Sequence, residues 1–442
     1  MSMWSKNTSW NSDGELSIAG ISATALAAQF GTPLFVLDEE DFRTNARRFK
    51  DAFEGAFGVG KVSVYYAGKA FLSASVVQWL EADGINLDVC TGGELAVAQL
   101  AKFPAARIEF HGNNKSVAEI EQALDYGVEC IAVDSFFEID RIEKAAAARG
   151  IVQKVIIRTT PGIEAHTHEF IATAHEDVKF GFSIASGAAL EAARRVRGAT
   201  HLDLQGLHAH IGSQIFDTDG YELAAKRIIA LLATIRDESD AELPLLDLGG
   251  GFGIAYLVGE SPLDPVDVAK KMHSVIASAC EVHGLKVPHI SIEPGRAIVG
   301  PSMATLYEVG TTKSIVLDDG GSRAYIAVDG GMSDNIRPAL YDAEYTVALA
   351  NRKSTAAVQP SRVVGKHCES GDIIIKNVDL PSDIVPGDLL VTPVTGAYGR
   401  SMASNYNHIS RPPVVAVALG KARIIVRRET HEDLLRLENM EG

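Results

Sequence analysis

Lys69 is the residue whose position suggests covalent chemistry. It directly follows a short β-branched and aromatic run at residues 64–68, in the segment YYAGKA. A lysine at the end of a buried strand loses its hydration, which lowers its pKa and favours the neutral amine that attacks a carbonyl to form a Schiff base. The alternative is an ordinary solvated lysine, because most lysines lie on protein surfaces.

A carboxylate and a guanidinium follow another apolar run, in the segment EPGR that contains Glu293 and Arg296. The carboxylate could keep a heterocyclic nitrogen protonated, and the guanidinium could bind a phosphate or a carboxylate through two hydrogen bonds. A structural ion pair is the alternative.

Glycines 249–251 also follow an apolar run, where backbone N–H groups can approach a phosphate closely. Ile254 breaks the GxGxxG pattern, so a plain tight turn is the other interpretation of these glycines.

His208 and His210 are two residues apart, so on a strand they share one face. This spacing occurs in the metal sites of barrel hydrolases, and His166, His168 and His175 are near in sequence. No carboxylate cluster with ligand spacing accompanies the pair. The sequence therefore leaves two hypotheses open, a metal-dependent hydrolase or one core histidine beside one pocket histidine.

The cysteines are Cys90, Cys130, Cys280 and Cys368, and no two of them form a CxxC pair. This distribution argues against a zinc module or a disulfide framework and fits a reducing cytoplasm. Cys368 differs from the others because it lies in the polar segment CESGD. It is the candidate reactive thiol.

Alternating strand and helix patterns must position these residues. The predicted strands are 64–68, 86–90, 108–112, 130–134, 154–161, 204–212, 245–251 and 289–295. Eight strand-then-helix units over about 240 residues predict an α/β fold, a (β/α)8 TIM-type barrel, although a doubly wound open sheet has the same alternation. The functional residues of such barrels lie at the carboxyl ends of the strands. Lys69, the HxH histidines, the glycines 249–251 and the EPGR segment all lie at such ends.

Residues beyond 300 are rich in strand patterns and in DDGG, DGG and PGD turns. We therefore predict a β-rich C-terminal domain over 301–442 and a barrel domain over 37–300. The N-terminal segment 1–36 contains most of the strand-like run PLFVLD, which we expect to join the β domain.

Composition excludes several classes of protein. The 442 residues carry 41 Lys+Arg against 57 Asp+Glu, a net charge of −16, which argues against nucleic-acid binding. A hydrophobic content of 46% with 22% charged residues is ordinary for a globular protein. The N-terminus lacks the apolar core of a signal peptide, and no apolar run reaches the length of a membrane helix. We expect a cytoplasmic protein without a membrane partner.

Seven segments carry a family resemblance. They are YYAGKA, GLHAHIGSQ, DLGGGFG, EPGR, RPALYDAEY, CESGD and GAYGRSMASNYN, in that order from residue 65 to residue 407. Each is weak evidence alone, but together they resemble the pyridoxal 5'-phosphate (PLP) dependent decarboxylases built on an alanine-racemase-like barrel. The resemblance is strongest to members that convert meso-2,6-diaminopimelate to L-lysine and CO2 in the final step of lysine biosynthesis. An ornithine- or arginine-type decarboxylase and a non-catalytic homologue are the alternatives within this fold.

The resemblance implies a role for individual residues and implies no metal. Lys69 would hold PLP covalently, His210 would stack on its ring, and Glu293 would bond the ring nitrogen. The partner subunit's Cys368 would deliver or relay a proton to the substrate Cα, with Lys69 as the other candidate. The further cofactor-binding residues would be Asp88, Ser213, Gly250, Gly251, Gly295, Arg296 and Tyr398.

The distal end of the substrate distinguishes members of this family. Arg337 and Tyr341 would bind the distal carboxylate of diaminopimelate with help from Arg296, and Glu369 would meet its ammonium group. Tyr398 completes the implied substrate-binding set. The resemblance also implies a homodimer with shared active sites.

Overall fold

The computed structural model describes residues 3–162, 179–210 and 212–439. The chain forms two compact units. The barrel unit comprises Asn45–Gly253 and Pro262–Ala297. The β unit comprises Met1–Thr44, Ile254–Ser261 and Ile298–Gly442.

The strands of the described residues are short. They are β1 (Thr8–Trp10), β2 (Leu16–Ile18), β3 (Ile21–Ser22), β4 (Leu34–Asp38), β5 (Val62–Ala67), β6 (Asn86–Val89), β7 (Ile108–Phe110), β8 (Cys130–Val133), β9 (Gln153–Thr160), β10 (Phe182–Ser183), β11 (Leu202–His208), β12 (Leu245–Asp247), β13 (His289–Ile292), β14 (Met303–Val316), β15 (Ser322–Val328), β16 (Ala348–Leu349), β17 (Val358–Val364), β18 (Ile373–Pro381), β19 (Leu389–Thr392), β20 (Val414–Ala418) and β21 (Lys421–Val426).

The α-helices of the same residues lie mainly between the barrel strands. They are α1 (Ala23–Phe30), α2 (Glu39–Phe57), α3 (Ala74–Ala82), α4 (Gly92–Leu100), α5 (Val117–Tyr126), α6 (Phe136–Arg149), α7 (Ala188–Gly198), α8 (Asp219–Ser239), α9 (Pro265–His283), α10 (Arg296–Val299), α11 (Arg337–Tyr341) and α12 (His431–Leu435).

The barrel unit closes a parallel sheet on itself. Its strands follow the order β9-β11-β12-β13-β5-β6-β7-β8, and a further pairing of β8 with β9 completes the ring. The predicted (β/α)8 barrel is confirmed. The predicted sixth and seventh strands extend past the observed β11 and β12, because the chain leaves the sheet before the glycine turn, where Gly249 has φ +67°.

Polar residues after the strands start the helices on the outside of the ring. Side-chain oxygens of Ser73, Thr91, Ser116 and Ser135 accept backbone N–H groups three residues further on, which caps α3 to α6. The carboxyl ends of the strands therefore lead into short capped loops. Side chains on these loops are held by rigid elements on both sides.

The β unit is built on a mostly antiparallel sheet. Its strand order is β18-β17-β15-β14-β4-β20-β21, and β19 pairs with both β14 and β16. The N-terminal strand β4 is fully buried between β14, which runs antiparallel to it, and β20, which runs parallel to it. A small sheet of β1, β2 and β3 precedes it.

Among the described residues, no helix is both long enough and apolar enough to cross a membrane.

Candidate active site

Lys69 lies in a short 3-10 turn, Gly68–Ala70, directly after β5. Its Nζ is 3.9 Å from Oδ2 of Asp88, and its side chain is 38% exposed whereas that of Asp88 is fully buried. The predicted desolvation of the amine is therefore only partial. Burial is the largest cause that raises the pKa of Asp88 to about 8, with repulsion from Glu293 adding to it and Lys69 opposing it. The amine thus lies beside a carboxyl that exchanges a proton near neutral pH.

Glu293 follows β13 and is buried at the centre of a group of histidines. Its Oε1 lies 2.9 Å from Nε2 of His208 and 3.4 Å from Nε2 of His111, and its Oε2 lies 4.0 Å from Nδ1 of His210. Burial alone would raise the pKa of Glu293, but His111, His208 and Lys69 hold it well below its ordinary value. The side chain is therefore an ionised carboxylate inside the barrel.

His210 is held as a neutral ring. The backbone N–H of Gly250 donates to its Nδ1 at 3.1 Å, so this nitrogen is unprotonated. Burial, followed by the charge of Lys69, places the pKa of His210 well below its ordinary value. A neutral imidazole next to the lysine and the carboxylate can stack on a flat ring without adding charge.

Glycines 250 and 251 have no room for side chains. A Cβ at Gly250 would lie 2.3 Å from the carbonyl oxygen of Glu293, and one at Gly251 would lie 2.4 Å from that of Gly212. Gly251 also has φ +100°, which favours glycine. The turn after β12 therefore presents bare backbone, as a phosphate-binding loop requires.

Arg296 and Ser213 lie together in the same unit. Nη2 of Arg296 donates to Oγ of Ser213 at 3.0 Å, and Arg296 is 7% exposed. Gly295 precedes this arginine, and a Cβ there would lie 2.9 Å from the Cβ of Ala67. Gly295 therefore packs closely against Ala67, the last residue of β5.

The barrel residues fit PLP by the chemistry of their donors. The primary amine of Lys69 suits the aldehyde of PLP, and the ionised carboxylate of Glu293 suits its ring nitrogen. The neutral imidazole of His210 suits the face of the ring. Bare glycine backbone with a serine and an arginine suits a phosphate. The structure brings together the predicted barrel residues Lys69, Asp88, His210, Ser213, Gly250, Gly251, Glu293, Gly295 and Arg296 at the carboxyl ends of strands.

In the β unit, Arg337 is the first residue of α11 and is 7% exposed. Its guanidinium carbon lies 4.7 Å from the ring centre of Tyr256 and 5.4 Å from that of Tyr345, and its Nη1 donates to the Tyr345 hydroxyl. Burial alone would lower its pKa, but Tyr256, Tyr345 and, to a smaller extent, Tyr398 raise the pKa above its ordinary value. No carboxylate of the described residues forms an ion pair with this guanidinium, so a buried charge is left for an anionic ligand.

Three further predicted substrate residues, Tyr341, Glu369 and Tyr398, also belong to the β unit, as does Cys368. Tyr341 ends α11, and Tyr398 has a backbone φ of +60°. The thiol of Cys368 is exposed, and its backbone N–H donates to Oδ1 of Asn407 at 3.3 Å. Glu369 is exposed beside it and accepts from the Ser370 hydroxyl at 3.4 Å. Cys368 and Glu369 are therefore both open to solvent in the single chain.

The structure separates the histidines of the HxH pair. His208 is 1% exposed and lies against His111 and Glu293, whereas Nδ1 of His210 accepts from Gly250. In the described part of the chain, no group of three closely spaced potential ligands contains both histidines of the pair. The pair is a core histidine and a neighbouring partly buried histidine, and His208 forms a group of closely spaced potential ligands with His111 and Glu293 instead. The hypothesis of an HxH metal site stays a prediction. The segment with His166, His168 and His175 lies outside the described residues.

Sequence reasoning assigned no role to five residues around these sites. Glu109, His111 and Asp247 surround Glu293 inside the barrel, and Tyr256 and Tyr345 surround Arg337. The alternation of IEFHG places Glu109 and His111 on one face of a strand, which was the available signal for these two. Tyr345 ends the segment RPALYDAEY, which was the available signal for it. No local signal pointed to Tyr256, because it lies far along the chain from Arg337.

Comparison with known proteins identifies the family of this chain. Residues 39–300 match the family model of the pyridoxal-dependent decarboxylase, pyridoxal binding domain. A diaminopimelate decarboxylase of Mycobacterium tuberculosis is 53% identical over 440 residues, which covers 99% of this chain and 97% of that protein. The Bacillus subtilis diaminopimelate decarboxylase is 47% identical over 428 residues, which covers 97% of this chain and 96% of that protein.

Solved structures of diaminopimelate decarboxylases have the same fold as this chain. The diaminopimelate decarboxylase of M. jannaschii superposes with a TM-score of 0.89 at 30% identity and covers 99% of this chain and 98% of that chain. The Helicobacter pylori enzyme complexed with L-lysine superposes with a TM-score of 0.84 at 33% identity, covering 93% of this chain and 98% of that chain. The chain therefore belongs to the pyridoxal-dependent decarboxylases and, among them, to the diaminopimelate decarboxylase family.

Proposed function

We propose that this protein is a PLP-dependent carboxy-lyase that converts meso-2,6-diaminopimelate to L-lysine and CO2, the final step of lysine biosynthesis. The observation that carries the proposal is the 53% identity over nearly the whole chain to a diaminopimelate decarboxylase. The lysine and carboxylate at the strand ends, and the buried guanidinium in the β unit, supply groups that this chemistry needs.

PLP, when bound, links to amines and withdraws the electron pair that is left at Cα when CO2 departs. Lys69 would bind the cofactor through its amine, and Glu293 would keep a proton on the ring nitrogen. That proton, held in place by Glu293, would be the positive charge that offsets the electron pair left at Cα. Asp88 lies 3.9 Å from Nζ of Lys69. Its carboxyl would stabilise the lysine ammonium after the substrate amine has displaced Lys69 from the cofactor.

The phosphate would be bound by backbone and side chains of the barrel unit. Gly250, Gly251 and Gly295 would offer backbone N–H groups, while Ser213 and Arg296 would offer a hydroxyl and a guanidinium. His210 would lie against the ring face, and Tyr398 would contribute from the β unit. A cofactor held at three points is fixed in orientation relative to Lys69.

A proton must replace the carboxylate that leaves Cα. The exposed thiol of Cys368 is a suitable donor, and we infer that it acts in the site of a second subunit within a homodimer. Lys69 is the other candidate for this proton transfer.

Substrate choice would depend on Arg337. Diaminopimelate ends in a carboxylate and an ammonium group, whereas ornithine ends in an ammonium group alone. We infer that Arg337 and Tyr341 bind the distal carboxylate, with Arg296 and Tyr398 assisting and Glu369 binding the distal ammonium. A buried guanidinium would repel a substrate that ends only in an amine.

We also propose a cytoplasmic location and the domain ranges 1–36, 37–300 and 301–442. The cytoplasmic location rests on the widely spaced cysteines, and the ranges rest on the change from alternating strand and helix patterns to strand patterns.

Release of CO2 by the purified, PLP-supplemented protein tests the proposal, with meso-diaminopimelate and ornithine in parallel reactions. We expect release from diaminopimelate alone, with L-lysine as the product. Release from ornithine alone would overturn the role of Arg337 in substrate choice. No release from either substrate would overturn the proposed activity.

A further inference from the structure

Three carboxyl groups meet inside the barrel. Glu109 lies on β7, Asp247 ends β12 and Glu293 follows β13, and one oxygen of each lies within 4.8 Å of an oxygen of both others. Their exposures are 1%, 0% and 3%. Neither Glu109 nor Asp247 has a role in the proposed function.

Three such groups cannot all be ionised. Removing a carboxylate from water costs several kcal/mol, and like charges at this distance in a dry interior repel strongly. Oδ2 of Asp247 is buried, and no N–H or hydroxyl group of the described residues donates a hydrogen bond to it. A protonated Glu109 carboxyl would supply the missing donor.

The surroundings show which group carries the charge. Nε2 of His111 lies 3.4 Å from both Glu293 and Glu109, and Glu293 also has Nε2 of His208 at 2.9 Å. Burial is the largest cause that raises the pKa of Glu109 to about 8, with repulsion from Glu293 next, and the same causes place the pKa of Asp247 well above its ordinary value. Glu109 and Asp247 are therefore neutral carboxylic acids, and Glu293 is the ionised carboxylate of the group.

Asp247 also connects this group to the glycine turn. Its Oδ1 accepts from the backbone N–H of Gly249 at 2.6 Å, and the carbonyl oxygen of Gly249 accepts from the backbone N–H of Glu293 at 2.9 Å. A shift of Asp247 would therefore move both the turn and the backbone of Glu293.

We propose that Glu109 and Asp247 are positioning residues, an acid pair that stays protonated so that Glu293 alone carries the charge and keeps its orientation toward the cofactor ring nitrogen. The inference rests on the proposed function, because it needs Glu293 to bind that nitrogen. It assigns the two residues to the cofactor-binding step and places neither of them in contact with substrate.

The experiment measures the dissociation constants of two ligands from the apoenzyme. One ligand is PLP, and the other is its 1-deaza analogue, in which C–H replaces the ring nitrogen. The variants are Glu109→Gln and Asp247→Asn, which keep the shape without charge, and Glu109→Leu, which removes the hydrogen-bonding group. Thermal unfolding of each apoenzyme reports whether the variant is folded.

We expect Glu109→Gln and Asp247→Asn to bind PLP within about threefold of wild type, because a neutral amide replaces a neutral acid. Glu109→Leu should weaken PLP by about tenfold, the loss expected for one hydrogen bond in the network, and leave the analogue unaffected. Equal weakening of both ligands would mean a merely structural role and would overturn the inference. A wild type that binds the two ligands equally would overturn the role of Glu293 and the inference with it.

Infrared spectroscopy keeps the inference testable if Glu109→Leu does not fold. The spectrum of wild-type holoenzyme minus that of Glu109→Gln should contain a carboxylic acid carbonyl band at neutral pH. A difference made of carboxylate bands would show that Glu109 is ionised and would overturn the inference.

Discussion

Arg337 carries a positive charge into the interior of the β unit. Tyr256 and Tyr345 cover its guanidinium, and in the part of the chain that the structure describes no carboxylate neutralises it. A buried cation of this kind is costly unless a ligand supplies the opposite charge. The charge is thus better suited to binding an anion than to stabilising the fold.

Replacing Arg337 by alanine should raise KM for meso-diaminopimelate by at least about 30-fold, because truncating one side of a buried charge pair costs roughly 2–5 kcal/mol. The amount of bound PLP should not change. Steady-state kinetics and the visible absorption of the cofactor check the two statements separately.

Arg362 provides a matched control in the same unit. Its guanidinium carbon lies 5.6 Å from the ring centre of Tyr325, and its Nη1 donates to that tyrosine's hydroxyl at 3.2 Å. Arg362→Ala should leave KM unchanged. If Arg337→Ala behaved in the same way, Arg337 would not select the substrate.

At the scale of elements, Lys115 ties together the loop after β7, strand β8 and helix α6. Its Nζ donates to the carbonyl oxygens of Gly112 at 2.8 Å and Ala132 at 2.6 Å, and to Glu138 at 3.1 Å. Its side chain is 1% exposed. Lys115→Met should lower the free energy of unfolding by about 3–5 kcal/mol, because it leaves Glu138 buried without its partner. Urea denaturation measures the loss.

The double variant Lys115→Met with Glu138→Gln should recover part of that stability, since the unpaired charge is gone. Lys154, which pairs with Glu129 at 2.7 Å on the surface, is the matched control. Lys154→Met should cost less than about 1 kcal/mol. Equal losses for the two lysines would contradict the importance of burial.

Asp334 makes the stability of the β unit depend on pH. Burial is the largest cause that raises its pKa from 3.8 to about 7, against hydrogen bonds from the Tyr307 hydroxyl at 2.5 Å and the Gly331 N–H at 2.7 Å. The folded state keeps the proton that the unfolded state releases, so the contribution is complete below 3.8 and is lost as the pH rises to about 7. Each unit of pKa difference corresponds to about 1.4 kcal/mol.

Asp334→Asn should therefore flatten the fall in thermal stability across this pH range. Asp383 is an exposed carboxyl whose pKa is lowered, first by a hydrogen bond from Ser354, so it is already ionised there. Asp383→Asn should leave the pH dependence unchanged. A pH dependence that survives in Asp334→Asn would assign the effect to another group.

Elements of the barrel could be predicted from sequence because their signals are local. Apolar runs followed by capping residues such as Ser73 and Thr91 locate strands and helices within one segment of chain. The carboxyl group cluster could not be predicted, because Glu109 and Asp247 come from strands that are far apart in sequence and meet only when the ring closes. The segment Ile254–Ser261, which contains Tyr256, likewise joins the β unit although the chain before and after it belongs to the barrel unit.

At the scale of the whole molecule, the proposed homodimer makes a direct prediction about mixed subunits. Lys69→Ala and Cys368→Ala should each be inactive alone. Mixing the two under conditions of subunit exchange should restore about one quarter of wild-type activity, because half of the dimers would be mixed and each would hold one intact site. A mixture that stays inactive, although exchange is shown by differently tagged subunits, would contradict a site shared between subunits.

The central claim is that Lys69 is the amine that holds PLP in a decarboxylase. Borohydride reduction of the PLP-loaded protein, followed by peptide mass mapping, tests it most directly. We predict that the phosphopyridoxyl group lies on the peptide that contains Lys69, and that Lys69→Ala loses both this modification and turnover. The label on another lysine, or a Lys69→Ala variant that keeps full turnover, would contradict the account.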